Sequence, residues 1–506
     1  MRTKKALINS SINIVTYLIL FIPNLILRKV FLNTLGNEML GLNSFYSNII
    51  GWLSIAELGV GSAIIFSLYK PFAENNRRKI NMYIRFYGKF YRTIGFIILG
   101  LGIIISPFLN FFIENKVDIE IITVGFLIFL LNSFISYMFS NRLCILNVAQ
   151  ESYKLTLGTT ISQLIIFLLQ YILLKNHPSF ILYITIQLIV NLIYYIIINI
   201  YISRKYPWLN KDKEDLDYNT KMGLFKNIWA LFMHKIGGVV VNSTDNIVIS
   251  KFVGLGILAN YANYNTVIAA LQKVILLGLN GITASVGNML NSSDKKKAYD
   301  IHKKIFFLNF WIVSFVVISL YNTLNQFVGL WVGKQYLLDS LTFIVILINL
   351  YFVTMRGSVE QFQNGSGNFY QDRYAPLVEA FINLAVSIFL VKKIGIAGVF
   401  IGTLVSNFTV IFWTKPYIVY KYVFHKPISG YFVMYFKYLV IGIVPLVLTN
   451  WLTCSVKYNL SIKSFVINCL INIIVINFTY LIIFYRTKEF KYYLLLFIKI
   501  IRNLNK

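Results

Sequence analysis

Five ionisable side chains, Arg28, Glu57, Lys235, Asp245 and Lys273, lie inside stretches that are otherwise apolar. A charge held away from water is costly, so such residues face protein or a wet passage and mark ion or substrate paths. Glu57 lies in WLSIAELGVGSAIIFSLYKP (Trp52 to Pro71), and Asp245 lies in VNSTDNIVIS (Val241 to Ser250). Either carboxylate is suited to carrying a proton or a sodium ion. Lys235, beside His234, and Lys273, in ALQKVILLG (Ala270 to Gly278), are suited to neutralising an anion. The competing reading is structural. Carboxylates beside small residues bond helix to helix, and Arg28 at a helix end extends its head to the membrane interface.

Other chemistries have no residues to carry them. The chain contains no GxxxxGK[ST] phosphate loop, no GxSxG elbow and no HExxH helix. Cys144, Cys454 and Cys469 are scattered singly, as are His177, His234, His302 and His425, so no metal site and no cofactor are expected. Outer loops reach at most about 15 residues, too short for a catalytic site outside the membrane. The protein is not expected to be an enzyme.

The elements that must position these residues are read from hydropathy. Of the 506 residues, 57% are hydrophobic and 13% are charged. About fourteen apolar runs of roughly 20 residues lie between Leu7 and Phe484, each long enough to cross a hydrocarbon core about 30 Å thick. Backbone polar groups in lipid must be satisfied internally, so the runs are helices and the chain is an all-α polytopic membrane protein. The net charge of +28 reflects orientation. About three quarters of the Lys and Arg fall on the side that holds both termini, which assigns that side to the cytoplasm. The remainder of the excess suits anionic headgroups, and no nucleic acid partner is expected.

The most polar stretch, PWLNKDKEDLDYN (Pro207 to Asn219), suggests a linker between halves. Residues 1–205 then form an N-terminal six-helix lobe, 206–223 a cytoplasmic linker and 224–416 a second six-helix lobe. Residues 417–506 add two helices and a basic tail, which either lies amphipathically on the membrane or frays. A second basic loop is expected at Asn291 to Lys304. Two similarities support duplication. Gln150-Glu151-Ser152-Tyr153 recurs as Gln371-Asp372-Arg373-Tyr374, 221 residues later. LGNEMLGLNSFYSN (Leu35 to Asn48) recurs as VGLGILANYANYNT (Val253 to Thr266), 218 residues later.

The segments SIAELGVGSAIIFSLYKPFAENN (Ser54 to Asn76), NSTDNIVISKFVGLGILANYANYN (Asn242 to Asn265) and QDRYAPLVEAFINL (Gln371 to Leu384) resemble bacterial polysaccharide flippases of the O-antigen and capsule type. These belong to the multidrug/oligosaccharidyl-lipid/polysaccharide exporter superfamily. The resemblance implies two six-helix lobes in a V around a central cavity, in a bacterial cell membrane. It also implies movement of undecaprenyl-pyrophosphate-linked oligosaccharide from the inner to the outer leaflet. In that setting Lys235, Lys273 and Arg28 would offset the pyrophosphate charge. Asn242, Asn246, Asn260, Asn263, Asn265 and Gln272 would bond the sugars, and Glu57 or Asp245 would couple an ion. Expected partners are the polyprenyl-pyrophosphate-linked glycan, membrane lipids and glycan polymerase or assembly proteins. The rivals are a teichoic-acid or peptidoglycan lipid-precursor flippase, a multidrug cation antiporter, a membrane glycan polymerase or ligase, and a non-transporting scaffold.

Overall fold

The computed structural model describes the chain apart from residues 1, 58–59, 114–116, 210–213, 292–294, 367, 369–370, 457 and 505–506. In stretches such as 2–11, 229–243, 280–285 and 287–291 it describes the backbone alone. The expected apolar runs fall on helical stretches among the described residues. The helices are α1 (Arg2–Leu53), α2 (Val60–Ala73), α3 (Arg77–Ile105), α4 (Ile119–Phe139), α5 (Cys144–Val148), α6 (Ser152–Asn176), α7 (Phe180–Lys205), α8 (Tyr218–Phe252) and α9 (Leu255–Asn291). They continue as α10 (Lys295–Trp331), α11 (Ser340–Met355), α12 (Gly357–Ser366), α13 (Ala375–Ile394), α14 (Ile396–Ser406), α15 (Phe412–Ile418), α16 (Ser429–Leu452), α17 (Ile462–Phe484) and α18 (Lys488–Leu504). Among the described residues, 10 helical stretches are long and apolar enough to cross a membrane. The molecule is an all-α, multi-pass membrane protein.

The chain divides into two compact units, Met1–Ala259 and Asn260–Lys506. The seventh apolar run, on α8, therefore clusters with the first unit, where α8 packs on α1 and α2.

In the first unit, α1 absorbs Pro23 and bends at Gly36, whose φ of 84° and ψ of 177° are accessible essentially to glycine alone. Gly254, 218 residues later in the repeated segment, has φ of 107°. The two segments also touch, since the Asn37 side-chain amide donates to the Gly256 carbonyl at 2.6 Å. A side chain at Gly41 would collide with the Leu255 backbone, so glycine permits the approach. The second apolar run breaks into the 3₁₀ turn Ser54–Glu57 before α2 begins.

The acidic part of the polar linker, from Glu214 on, is docked. Glu214 pairs with Arg78 at 2.7 Å, and Asp215 pairs with Lys89 at 2.7 Å and Arg85 at 3.2 Å. The Lys89 hydrogen bond is the chief cause holding Asp215 below the usual carboxylate range. Asp217 accepts from the Thr220 amide at 3.0 Å and caps α8, which ends the linker earlier than the hydropathy suggests.

In the second unit the expected loop at Asn291 to Lys304 is corrected. α10 already begins at Lys295, because Ala298 and His302, one turn apart, are both buried. His302 sits among the rings of Phe362, Tyr420 and Phe424. The terminal pair is fastened to α10 by neutral polar groups. Asn322 donates to Thr449 of α16 at 3.0 Å and to Asn472 of α17 at 2.8 Å. Asn468 donates to Gln326 at 3.0 Å and to the Asn322 carbonyl at 2.8 Å. Such bonds hold helices together where apolar burial gives no preference between lipid and protein. The tail forms α18, whose Phe490 and Tyr493 stack on Trp311 and Phe307 of α10.

Candidate functional site

Within the first unit, Glu57 closes the 3₁₀ turn and its Oε1 accepts from the Tyr91 hydroxyl of α3 at 2.6 Å. Tyr87 and Tyr137 lie against Tyr91, with ring centroids at 4.3 and 5.7 Å. Gly61 makes room for this group, since a Cβ there would lie 3.2 Å from the Tyr91 hydroxyl and 3.3 Å from that of Tyr87. Asp245 is buried on α8. Its neighbour Asn246 donates to Asn48 of α1 at 2.9 Å, so one expected sugar ligand also joins helix to helix. Arg28 is half-buried on α1, close enough to Tyr183 of α7 to interact electrostatically. Lys235 and Asn242 lie where side chains fall outside the described residues.

In the second unit, α9 carries Asn260 and Asn263 buried, Gln272 half-buried and Asn265 and Lys273 exposed. Asn263 and Asn265 thus occupy different faces of one helix.

A cluster of paired charges in the second unit lies elsewhere, on residues the sequence reading did not select. Arg356, at the α11–α12 junction, donates to Glu360 at 2.7 Å and to Asn407 at 3.2 Å. Asp372, whose side chain is 1% exposed, pairs with Lys415 at 2.8 Å and accepts from Gln363 at 2.9 Å. Glu379 on α13 lies within electrostatic range of Arg356, Lys415 and Glu360. One turn further along, Asn383 donates to Thr403 of α14 at 3.0 Å. The cluster gathers three carboxylates and two cations from α11 to α15. The signal available was Asp372 in the repeated Q-[DE]-x-Y pattern, and its cations stand at the ends of apolar runs.

Beside this cluster is an apolar cleft of about 530 Å³ among α10, α11 and α16. Val317, Ile318, Leu347, Tyr351, Leu439 and Ile443 line it. Its size lies in the usual range for a bound organic ligand, and its lining offers almost no hydrogen-bonding partner. It suits a hydrocarbon chain.

The architecture matches solved transporters. The lipid II flippase MurJ in an inward closed conformation superposes with a TM-score of 0.66, at 16% identity, covering 94% of this chain and 99% of that one. The fold is that of the flippase and multidrug-transporter structures. An inward-facing multidrug resistance MATE family transporter of the MOP superfamily gives a TM-score of 0.61 at 12% identity, covering 77% of this chain and 91% of that one. The MATE multidrug transporter DinF-BH gives 0.55 at 12% identity, covering 83% and 95%. An uncharacterized membrane protein of Methanocaldococcus jannaschii is 23% identical over 366 residues, 69% of this chain and 71% of its own length. No family model matches the chain.

Proposed function

We propose that the protein is a transporter that flips a polyprenyl-pyrophosphate-linked oligosaccharide from the inner to the outer leaflet of a cell membrane, for surface polysaccharide assembly. The observation that carries this reading is the apolar cleft bounded by α16, since a lipid-linked substrate needs a path for its chain while its head crosses. The likeness to a lipid II flippase over 94% of the chain supports a lipid-linked substrate. A bare anionic head would cost tens of kcal/mol in hydrocarbon by the Born estimate. Arg28, Lys235 and Lys273 are proposed to neutralise it in passage, with Asn242, Asn246, Asn263 and Gln272 bonding the sugars. No covalent step is required.

A second reading, ion-coupled export of a cationic drug, rests on the second-unit cluster, which holds one more carboxylate than cation. Glu57, Asp245 and this cluster are equally suited to coupling an ion to lipid transport. The test is surface glycan in cells that depend on this gene. The double variant Lys235→Ala/Lys273→Ala is expected to abolish most export at unchanged protein level. Unchanged export would contradict the cationic passage.

A further inference from the structure

The first unit carries an amphipathic recess at the α4–α7 interface. Its volume is about 380 Å³ and its walls are Phe139, Arg142, Ile196, Asn199, Ile200 and Arg204, with Ser203 at the rim. The recess is divided by chemistry along α7. Ile193, Ile196, Ile197 and Ile200 are exposed and follow helical spacing, forming an apolar strip about 10 Å long. Arg204 continues the same strip one turn beyond Ile200 and is exposed. From the opposite wall, the Arg142 guanidinium reaches across to the Ser203 hydroxyl at 2.8 Å, which holds the two arginine-bearing segments together. Asn199 donates to the Phe139 carbonyl at 3.3 Å and fixes the floor, where Phe139 stacks on Tyr195 at 6.0 Å.

The surroundings add positive charge. Lys154 and Lys205 share one carboxylate, Glu151, so the cluster of Arg142, Arg204, Lys154, Lys205 and Glu151 is strongly cationic. Tyr201 accepts from Lys154 at 2.7 Å and supplies the amphipathic ring typical of a headgroup-level girdle. The charge bias of the sequence assigns this end of α4 and α7 to the cytoplasmic leaflet, where anionic lipids concentrate.

We propose that this recess is a binding site for an anionic diacyl phospholipid. Arg142 and Arg204 hold the headgroup phosphate, and an acyl chain lies along Ile193 to Ile200. Basic pockets between membrane helices recognise anionic headgroups by this division of labour. The site is separate from the second-unit cleft assigned to substrate.

The test uses the full-length protein in neutral detergent, titrated with dioleoyl phosphatidylglycerol, dioleoyl phosphatidylcholine or inorganic phosphate. Bound lipid is counted by native mass spectrometry, and thermal unfolding is followed in parallel. Phosphatidylglycerol is expected to bind and raise the melting temperature at concentrations where the other two do not. Arg142→Gln/Arg204→Gln should weaken that binding by roughly tenfold or more. The charge-matched control Lys70→Gln/Arg77→Gln should leave it unchanged, and Arg204→Lys should retain most of it. Equal binding by the double variant, equal loss in the control, or saturation by inorganic phosphate alone would each overturn the proposal. Because Arg204 is exposed, Arg204→Gln alone gives the same discrimination if the double variant fails to fold.

Discussion

The Asn37 amide donates to the Gly256 carbonyl across 2.6 Å, joining two segments that the sequence relates by an offset of 218 residues. The glycines at the start of the two segments, Gly36 and Gly254, stand at equivalent positions and both have positive φ. The two similar segments therefore share a glycine at positive φ, and they touch at Asn37 and Gly256. Gly36→Ala is expected to destabilise the protein by about 1–3 kcal/mol from backbone strain, although nothing lies within 4 Å of the space a Cβ would occupy. Gly41→Ala meets the Leu255 backbone and is expected to cost at least as much. Thermal unfolding in detergent measures both. A neutral Gly36→Ala would mean that α1 straightens without penalty.

Asp372 is buried and pairs with the half-buried Lys415 at 2.8 Å. Removing either partner strands the other charge. Lys415→Met, which strands the buried carboxylate, is expected to cost about 3–5 kcal/mol and Asp372→Asn less, with the double variant costing much less than their sum. A double-mutant cycle by unfolding measures the coupling. Strict additivity would show that the two charges are independently solvated.

Tyr91 and Glu57 are joined at 2.6 Å. Tyr91→Phe removes a donor to a carboxylate and is expected to cost about 1.5–3 kcal/mol in stability. Glu57→Gln keeps a hydrogen-bonding partner for Tyr91 and is expected to cost less. If Glu57 couples an ion, Glu57→Gln also removes the dependence of transport on that ion's gradient while the protein stays folded. Transport with unaltered gradient dependence would make Glu57 a structural residue.

Asn322 anchors two helices at once, through Thr449 and Asn472. Interhelical bonds in membranes average about 0.6 kcal/mol each and reach about 1.7. Asn322→Leu is expected to cost about 1–3 kcal/mol and to raise amide exchange in α16 and α17 before the rest of the second unit. Uniform exchange would show that the terminal pair does not depend on this junction.

Burial of Glu151 by itself raises its pKa, but hydrogen bonds from Lys205 and Lys154 outweigh that and hold it at about 2 against an ordinary 4.5. A depressed carboxylate pKa contributes stability that is present above the ordinary value and is lost as pH falls through the folded one. The melting-temperature difference between the wild type and Glu151→Gln should be constant above about pH 5.5 and vanish near pH 2. A difference independent of pH would mean that the Lys154–Glu151–Lys205 bridge carries no net stabilisation.

The helical architecture was legible because lipid demands continuous apolar stretches with satisfied backbones, and among the described residues these stretches are helical, the second one broken by the Ser54–Glu57 turn. The likeness that sets Gly36 and Gly254 218 residues apart was legible, whereas their positive φ angles were not. Arg356, Glu360 and Lys415 escaped notice because they stand near the ends of apolar runs, where a charge reads as a loop residue. Only packing of α12, α13 and α15 brings them together, half-buried, around the buried Asp372. Asn468 and Asn472 did leave a trace, two amides one helical turn apart in an apolar run. Their partner Asn322 lies 146 residues before Asn468, which no local pattern records.

The central claim is that the apolar cleft of the second unit carries the chain of a lipid-linked substrate. Ile443 lines that cleft and is exposed, so Ile443→Trp adds bulk to the lining without entering the packed core. The most direct measurement is flipping in liposomes of one fluorescent pyrophosphate oligosaccharide on a long polyprenyl chain and on a short one, read by an impermeant quencher. The account predicts that the wild type flips the long-chain substrate above protein-free vesicles. It also predicts that Ile443→Trp slows the long chain at least tenfold while affecting the short chain much less. No flipping of either substrate, with or without an imposed ion gradient or potential, would contradict it, as would equal slowing of both chains.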